Sequence, residues 1–242
     1  MSKHLLSARN RSALKETRHI LKIVRAARQR SVILPLKAHE VIEGLARKAE
    51  KTAKAVLQLA PKGYPEDGLI LARSLAGLAI DLSYLSANDM ERFKTYVAVG
   101  LNARRRMAQQ CGQPVPDEPA IDWEDVKLRV QQWKSDGVYG RAQKSNCHLL
   151  FDYAYRHGSS FEHSDAWSLM TYERQNAWAR EPILNITLLV TSYAAIAVHA
   201  AWSRFFSVED PVTDAALERH FRIAFPGHAL EANQDAGPAA SG

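Results

Sequence analysis

The segment PILNITLLVTSYAAIAVHAAWS (residues 182–203) carries no charged residue, and the class of the protein turns on how it is interpreted. It is long enough to cross a bilayer, which takes about 20 apolar residues. Yet it includes Asn185, Thr187, Thr191, Ser192, Tyr193 and His199, together with five alanines, and that polar load suits lipid poorly. The better reading is a core helix, covered by other helices or by a second copy of the chain, because a helix apolar on all sides must be enclosed. No membrane span is expected.

Working outward, the pattern stays helical. Pro65-Glu66-Asp67 is a helix start, with proline at the first position and acids at the positive end of the dipole. Leu69, Ile70, Ala72, Leu75, Leu78, Ala79, Leu82 and Leu85 follow, making a second apolar helix to about Ser86. Leu36 to Leu59 reads as an amphipathic helix, and Asn88-Asp89 caps another that runs to Gln110. Asp122 to Lys134 is a short helix ended by a Gly137/Gly140 break. Lys144 to Arg156 is the next, stopped by His157-Gly158-Ser159-Ser160 in a glycine-type cap. Val212 to Phe225 is the last. No stretch alternates strictly between apolar and polar residues, and no repeat is visible. Glycine (12) and proline (10) are few, which disfavours a turn-rich β fold. The expectation is an all-α protein, one bundle of about seven to nine helices.

Three regions are expected: a basic N-terminal helix (1–34), the bundle (35–227) and a disordered tail (228–242). The formal net charge of +6 is concentrated at the start. Between Lys3 and Arg30 nine basic residues face one acid, Glu16. Such a helix attracts a polyanion or an anionic membrane surface, unless it is simply a solvated face. Arg18, Lys22, Arg25 and Arg28 are the candidate nucleic-acid contacts. The first twelve residues lack the apolar stretch of a secretory signal. Cys111 and Cys147 form no C-x-x-C pair, so a reducing, cytoplasmic setting fits. There is no phosphate loop, no G-x-S-x-G and no H-E-x-x-H. His148 beside Cys147 lacks further ligands nearby, so neither metal nor cofactor is expected.

The remaining chemistry-bearing segment is Tyr155-Arg156-His157-Gly158-Ser159-Ser160-Phe161-Glu162-His163-Ser164-Asp165. An arginine and a histidine near a helix end suit metal-free RNA cleavage. Histidine transfers protons near neutral pH, and arginine holds a phosphate and offsets developing charge. His157 is a candidate second proton-transfer group. Spacing alone does not single this pair out, since Arg141/His148 and Arg222/His228 show similar separations. The hydroxyls of Ser159, Ser160, Ser164 and Tyr155 around Arg156 distinguish it. Structural roles compete: Asp152 pairing with Arg156, Ser159-x-x-Glu162 as a capping box, and His163 filling a polar slot.

Ile70-Leu71-Ala72-Arg73-Ser74-Leu75, Ala79-Ile80-Asp81-Leu82-Ser83-Tyr84-Leu85, and Tyr155-Arg156 through Ser159 to His163-Ser164 together resemble a bacterial family of unknown function. That family joins an R-S-L-x-E helix to a Y-R-x-x-S-x-x-x-H element, and is similar to the HEPN superfamily of helical bundles. The resemblance implies a metal-independent ribonuclease of toxin–antitoxin or phage-defence type, with an Arg-x4-6-His site duplicated across a homodimer. It implies Arg156 and His163 as catalytic residues and Arg73 as a phosphate-binding or supporting group, with RNA and an antitoxin as partners. Where the family tends to carry glutamate this chain has Gly77, which puts catalysis in question more than fold. Arg73 also has a structural reading, as the ion-pair partner of Asp81 or Glu66. Besides the nuclease, the residues fit a non-catalytic module that holds nucleic acid or protein on its basic helix, or a protein lying on anionic lipid.

Overall fold

A computed structural model describes residues 6–29, 37–87, 89–113, 121–162, 177–228 and 230, with backbone alone at 29, 37, 156–162 and 177–180. Eight α-helices and no strand occur among the described residues, so the protein is all-α. They are α1 (Ala8–Gln29), α2 (Lys37–Leu59), α3 (Pro65–Leu85), α4 (Met90–Gln110), α5 (Trp123–Lys144), α6 (His148–Glu162), α7 (Ala177–Phe205) and α8 (Pro211–Ala224). A short 3-10 turn, Ala60–Lys62, joins α2 to α3.

The charge-free segment lies in α7, which extends it at both ends. α7 packs against α1, α2, α3 and α6, and its broadest contact is with α3. Leu188, Val190 and Ala194 are fully buried. Several of its buried polar groups are hydrogen-bonded inside the same chain, as most buried polar groups are. The Thr187 hydroxyl donates to the Ile183 carbonyl at 2.8 Å, Thr191 donates to Thr187 at 2.7 Å, and Ser192 shares a 2.9 Å hydrogen bond with Thr17 of α1. The Trp202 indole donates to Glu43 of α2 at 3.1 Å. Both α3 and α7 are apolar and long enough to cross a membrane by composition, and most of each is enclosed by neighbouring helices.

α3 closely approaches the turn after α2 at Gly68, where a Cβ would lie 2.8 Å from the Ala60 methyl. Side-chain caps fix several helix starts: Asp89 accepts from Glu91 N, Asp122 from Glu124 N and Asp125 N, and Asp210 from Thr213 N. α4 and α5 form a pair with a small core of Ala98, Val126 and Val130. α1 lies in the groove of α7 and α8, with Ala13, Leu14, Ile20 and Val24 turned into the main core.

Three sequence expectations change. α5 does not end at Lys134: it kinks at Gly137 (φ 58°, ψ 179°) and resumes to Lys144, since only glycine accepts that backbone cheaply. Lys144 therefore closes α5, and α6 begins at His148 after a turn with Asn146 at φ 54°. α6 then does not stop at His157-Gly158 but continues to Glu162. An interior glycine costs a helix about 1 kcal/mol, too little to end it. Ser159 is thus inside a helix and caps no start. The expected irregular stretch near Asp165 and the tail beyond Leu230 lie outside the described residues.

Candidate functional site

Two helices bring the motif residues together. Arg73 projects from the middle of α3, and its guanidinium carbon sits 4.5 Å from the centroid of the Tyr155 ring on α6. Tyr155 is held flat by Phe151, one turn earlier, with centroids 4.5 Å apart and planes 13° from parallel. A Cβ at Gly77 would lie 3.2 Å from the Tyr155 hydroxyl. The position where the resemblance implies a glutamate therefore abuts this hydroxyl.

One turn beyond Gly77 on α3, Asp81 accepts from Arg141 Nε of α5 at 2.8 Å. The Arg141 side chain is 6% exposed. Its guanidinium also lies 3.9 Å from the Trp133 ring and donates to the Trp133 carbonyl at 3.2 Å. Asp81, one of the two structural partners that the sequence suggests for Arg73, is thus engaged by Arg141 instead. Burial pushes the Asp81 carboxyl above its usual range, and Arg141 only partly offsets this. Burial likewise raises the Tyr155 phenol, with Arg73 opposing, Asp81 adding and Arg141 opposing. Tyr96 is raised by burial and by Asp81. Arg73, Tyr155, Tyr96, Asp81 and Arg141 therefore form one electrostatically linked cluster, as functional groups often do. A guanidinium anchored on an aromatic ring is a rigid platform for an anion.

Arg156 follows Tyr155 directly on α6. Arg156, Ser159 and Ser160 occupy positions i, i+3 and i+4 of that continuous helix, hence one face, and His157 is one residue on. The expected helix stop at His157-Gly158-Ser159-Ser160 gives way to continuous helix through these residues. His163 follows the last residue of α6 and lies outside the described residues.

The basic helix has two sides. Arg11, Lys15, Arg18, Lys22 and Arg25 are largely turned to solvent, at spacings of four and three that align on one face. Arg28 differs from the expectation: its side chain is 10% exposed and lies 2.8 Å from Glu50 and 3.3 Å from Glu43. It belongs to the α1–α2 contact, which leaves Arg18, Lys22 and Arg25 as the outward set.

Sequence reasoning missed two groupings. A cavity of about 300 Å³ is lined by Ser83, Cys147, Tyr193, His199, Arg204 and Asp214 among others, with His199 Nε2 3.5 Å from Asp214. On the inner side of α1, Glu16 meets His19 and, from α8, His220, the three ligand-type atoms lying within 4.8 Å of one another. The Glu16-x-x-His19 spacing is a visible signal of one helical face; His220, some two hundred residues later, gives none.

No curated protein and no solved structure matches the chain. A family model does match, over residues 39–177, from α2 to the first residue of α7 and so across both motif helices. By that match, over more than half its length, the chain belongs to a family of unknown function, DUF5677.

Proposed function

We propose that this protein is a metal-independent endoribonuclease of HEPN-like type, acting in the cytoplasm as the toxin or defence component of a bacterial system. The observation that carries the reading is the contact of Arg73 with the Tyr155 ring. It joins the R-S-L segment of α3 to the Y-R segment of α6, so that two short, separate resemblances meet in one contact, and Arg156 is the next residue of α6. In this reading His163 takes the proton from a ribose 2′-hydroxyl, and the 2′-oxygen attacks the adjacent phosphorus. Arg156, with Ser159 and Ser160, holds the phosphate and offsets the charge that develops there. His157 protonates the departing 5′-oxygen, leaving a 2′,3′-cyclic phosphate. Arg73 supports the phosphate side of the site, and the exposed stripe of α1 draws in the RNA backbone. A homodimer would present two such sites, and an antitoxin would cover them.

The test is incubation of a mixed RNA pool with purified protein in EDTA, beside His163→Ala. Cleavage that disappears in a variant of unchanged helical signal supports the reading. Cleavage that persists in the variant overturns the assignment of His163. A second reading, a non-catalytic module that binds nucleic acid, is favoured by Gly77 standing where an acid is expected and by the exposed row on α1. It predicts salt-sensitive RNA binding with no cleavage by either protein.

A further inference from the structure

α1 holds one acid, Glu16, and it faces inward: the residue is 7% exposed, with an exposed Lys15 before it. His220 Nδ1 of α8 lies 2.5 Å from Glu16 Oε2, and His19 Nδ1 lies 3.5 Å from the same oxygen. The two imidazole rings meet edge to face, with centroids 5.2 Å apart. A proton accounts for the contact of His220 with Glu16. It does not account for His19, whose Nδ1 is buried and makes no hydrogen bond. A ring nitrogen removed from water without a hydrogen bond is unfavourable.

We infer that Glu16, His19 and His220 form a binding site for one divalent transition-metal ion of the zinc class, which clamps α1 to α8. Two imidazoles and one carboxylate are a donor set for such ions, and three protein ligands leave a position for water. Geometry supports it. Ligand atoms about 2.0–2.1 Å from a tetrahedral ion sit about 3.3 Å from one another. The His19–Glu16 separation is already close to that. The His220–Glu16 contact has to open by about 0.8 Å, as the ion displaces the hydrogen between them. The exposed Lys15 and Arg18 nearby oppose a cation, but their side chains face solvent, where physiological salt screens them. The ion would fasten together the first and last described helices, so its effect on stability follows from closing a very long loop. This site is independent of the nuclease reading.

The tag-free full chain, treated with chelator and then freed of it, is titrated with Co²⁺ by visible absorption and with Zn²⁺ by calorimetry. One ion per chain is expected, with the intense visible bands of Co²⁺ in a low-coordinate nitrogen–oxygen site and a rise in Tm with Zn²⁺. His19→Ala, whose side chain is 38% exposed and whose removal the fold tolerates, should lower affinity by at least about 100-fold. His220→Ala should do the same, and His148→Ala, outside the cluster, should change nothing. If His220→Ala fails to fold, Glu16→Gln replaces it. An absence of binding by the parent overturns the site, and so does equal binding by the parent and His19→Ala.

Discussion

Arg141 is a guanidinium almost wholly out of water, and Asp81 is the carboxylate opposite it. Pairs of this kind are costly to break from one side only, because the surviving charge stays buried. Asp81→Ala is therefore expected to lower unfolding free energy by about 3 kcal/mol in urea denaturation, while Asp81→Leu with Arg141→Met recovers most of that loss. A single-variant loss as small as that of a surface pair, about 0.5 kcal/mol, would contradict the account. Glu50 tests the electrostatics of the α1–α2 contact differently. Burial pushes its carboxyl upward, but Lys54, Arg28 and Arg25 outweigh this and hold it below the ordinary 4.5. A depressed folded pKa contributes stability that is present above the unfolded value and lost as pH falls through the folded one. Glu50→Gln should thus be less stable than the parent at neutral pH, with the gap closing as pH falls below 4.5. A gap that widens on acidification would show the sign to be wrong.

At the scale of elements, α6 separates two accounts of one glycine. As a left-handed cap, Gly158 would not accept alanine without strain. As an interior residue of a helix that runs to Glu162, it should accept alanine with a gain of about 1 kcal/mol, because glycine is a poor helix former. Thermal unfolding of Gly158→Ala decides between them, and a fall in Tm would refute the continuous helix. The contrast shows where local signals are legible. Pro65-Glu66-Asp67, Asp89 and Asp122 are readable because their chemistry acts within one turn, and the helices start there. Gly137 and Gly158 are the same residue type, but one kinks its helix and one does not, so a propensity cost of about 1 kcal/mol does not by itself end a helix. The motif face is legible in part. Arg73 and Tyr155 both stand out in the sequence, but their contact depends on α3 and α6 being neighbours. Arg141 as partner of Asp81 depends on α5 lying beside them, and nothing in the sequence between these positions announces it.

For the whole molecule, the division is between a buried half that explains stability and an exposed charge pattern on which the proposed RNA binding rests. The core runs from Ala13 of α1 through α2, α3, α6 and α7 to Phe225 after α8, so the basic helix is part of the body that it serves. Its residues Arg18, Lys22 and Arg25 are turned to solvent, and Arg25 also lies 3.5 Å from Glu50. Replacing all three with glutamine should weaken RNA binding and reduce the slope of log affinity against log salt by roughly two units, at about 0.7 for each phosphate no longer neutralised. Fold and Tm should change little, since surface substitutions rarely move stability by more than about 0.5 kcal/mol. An unchanged slope would remove α1 from the binding surface.

The central claim is that RNA is cut through its own 2′-hydroxyl. The direct measurement is the reaction of the protein, in EDTA, with two oligonucleotides of one sequence, one all-ribose and one with 2′-deoxyribose throughout, followed by analysis of the new ends. The account predicts that the ribose strand is cut to products ending in 2′,3′-cyclic phosphate and that the deoxyribose strand survives. Cutting of both strands, or survival of both with folded protein, would contradict it.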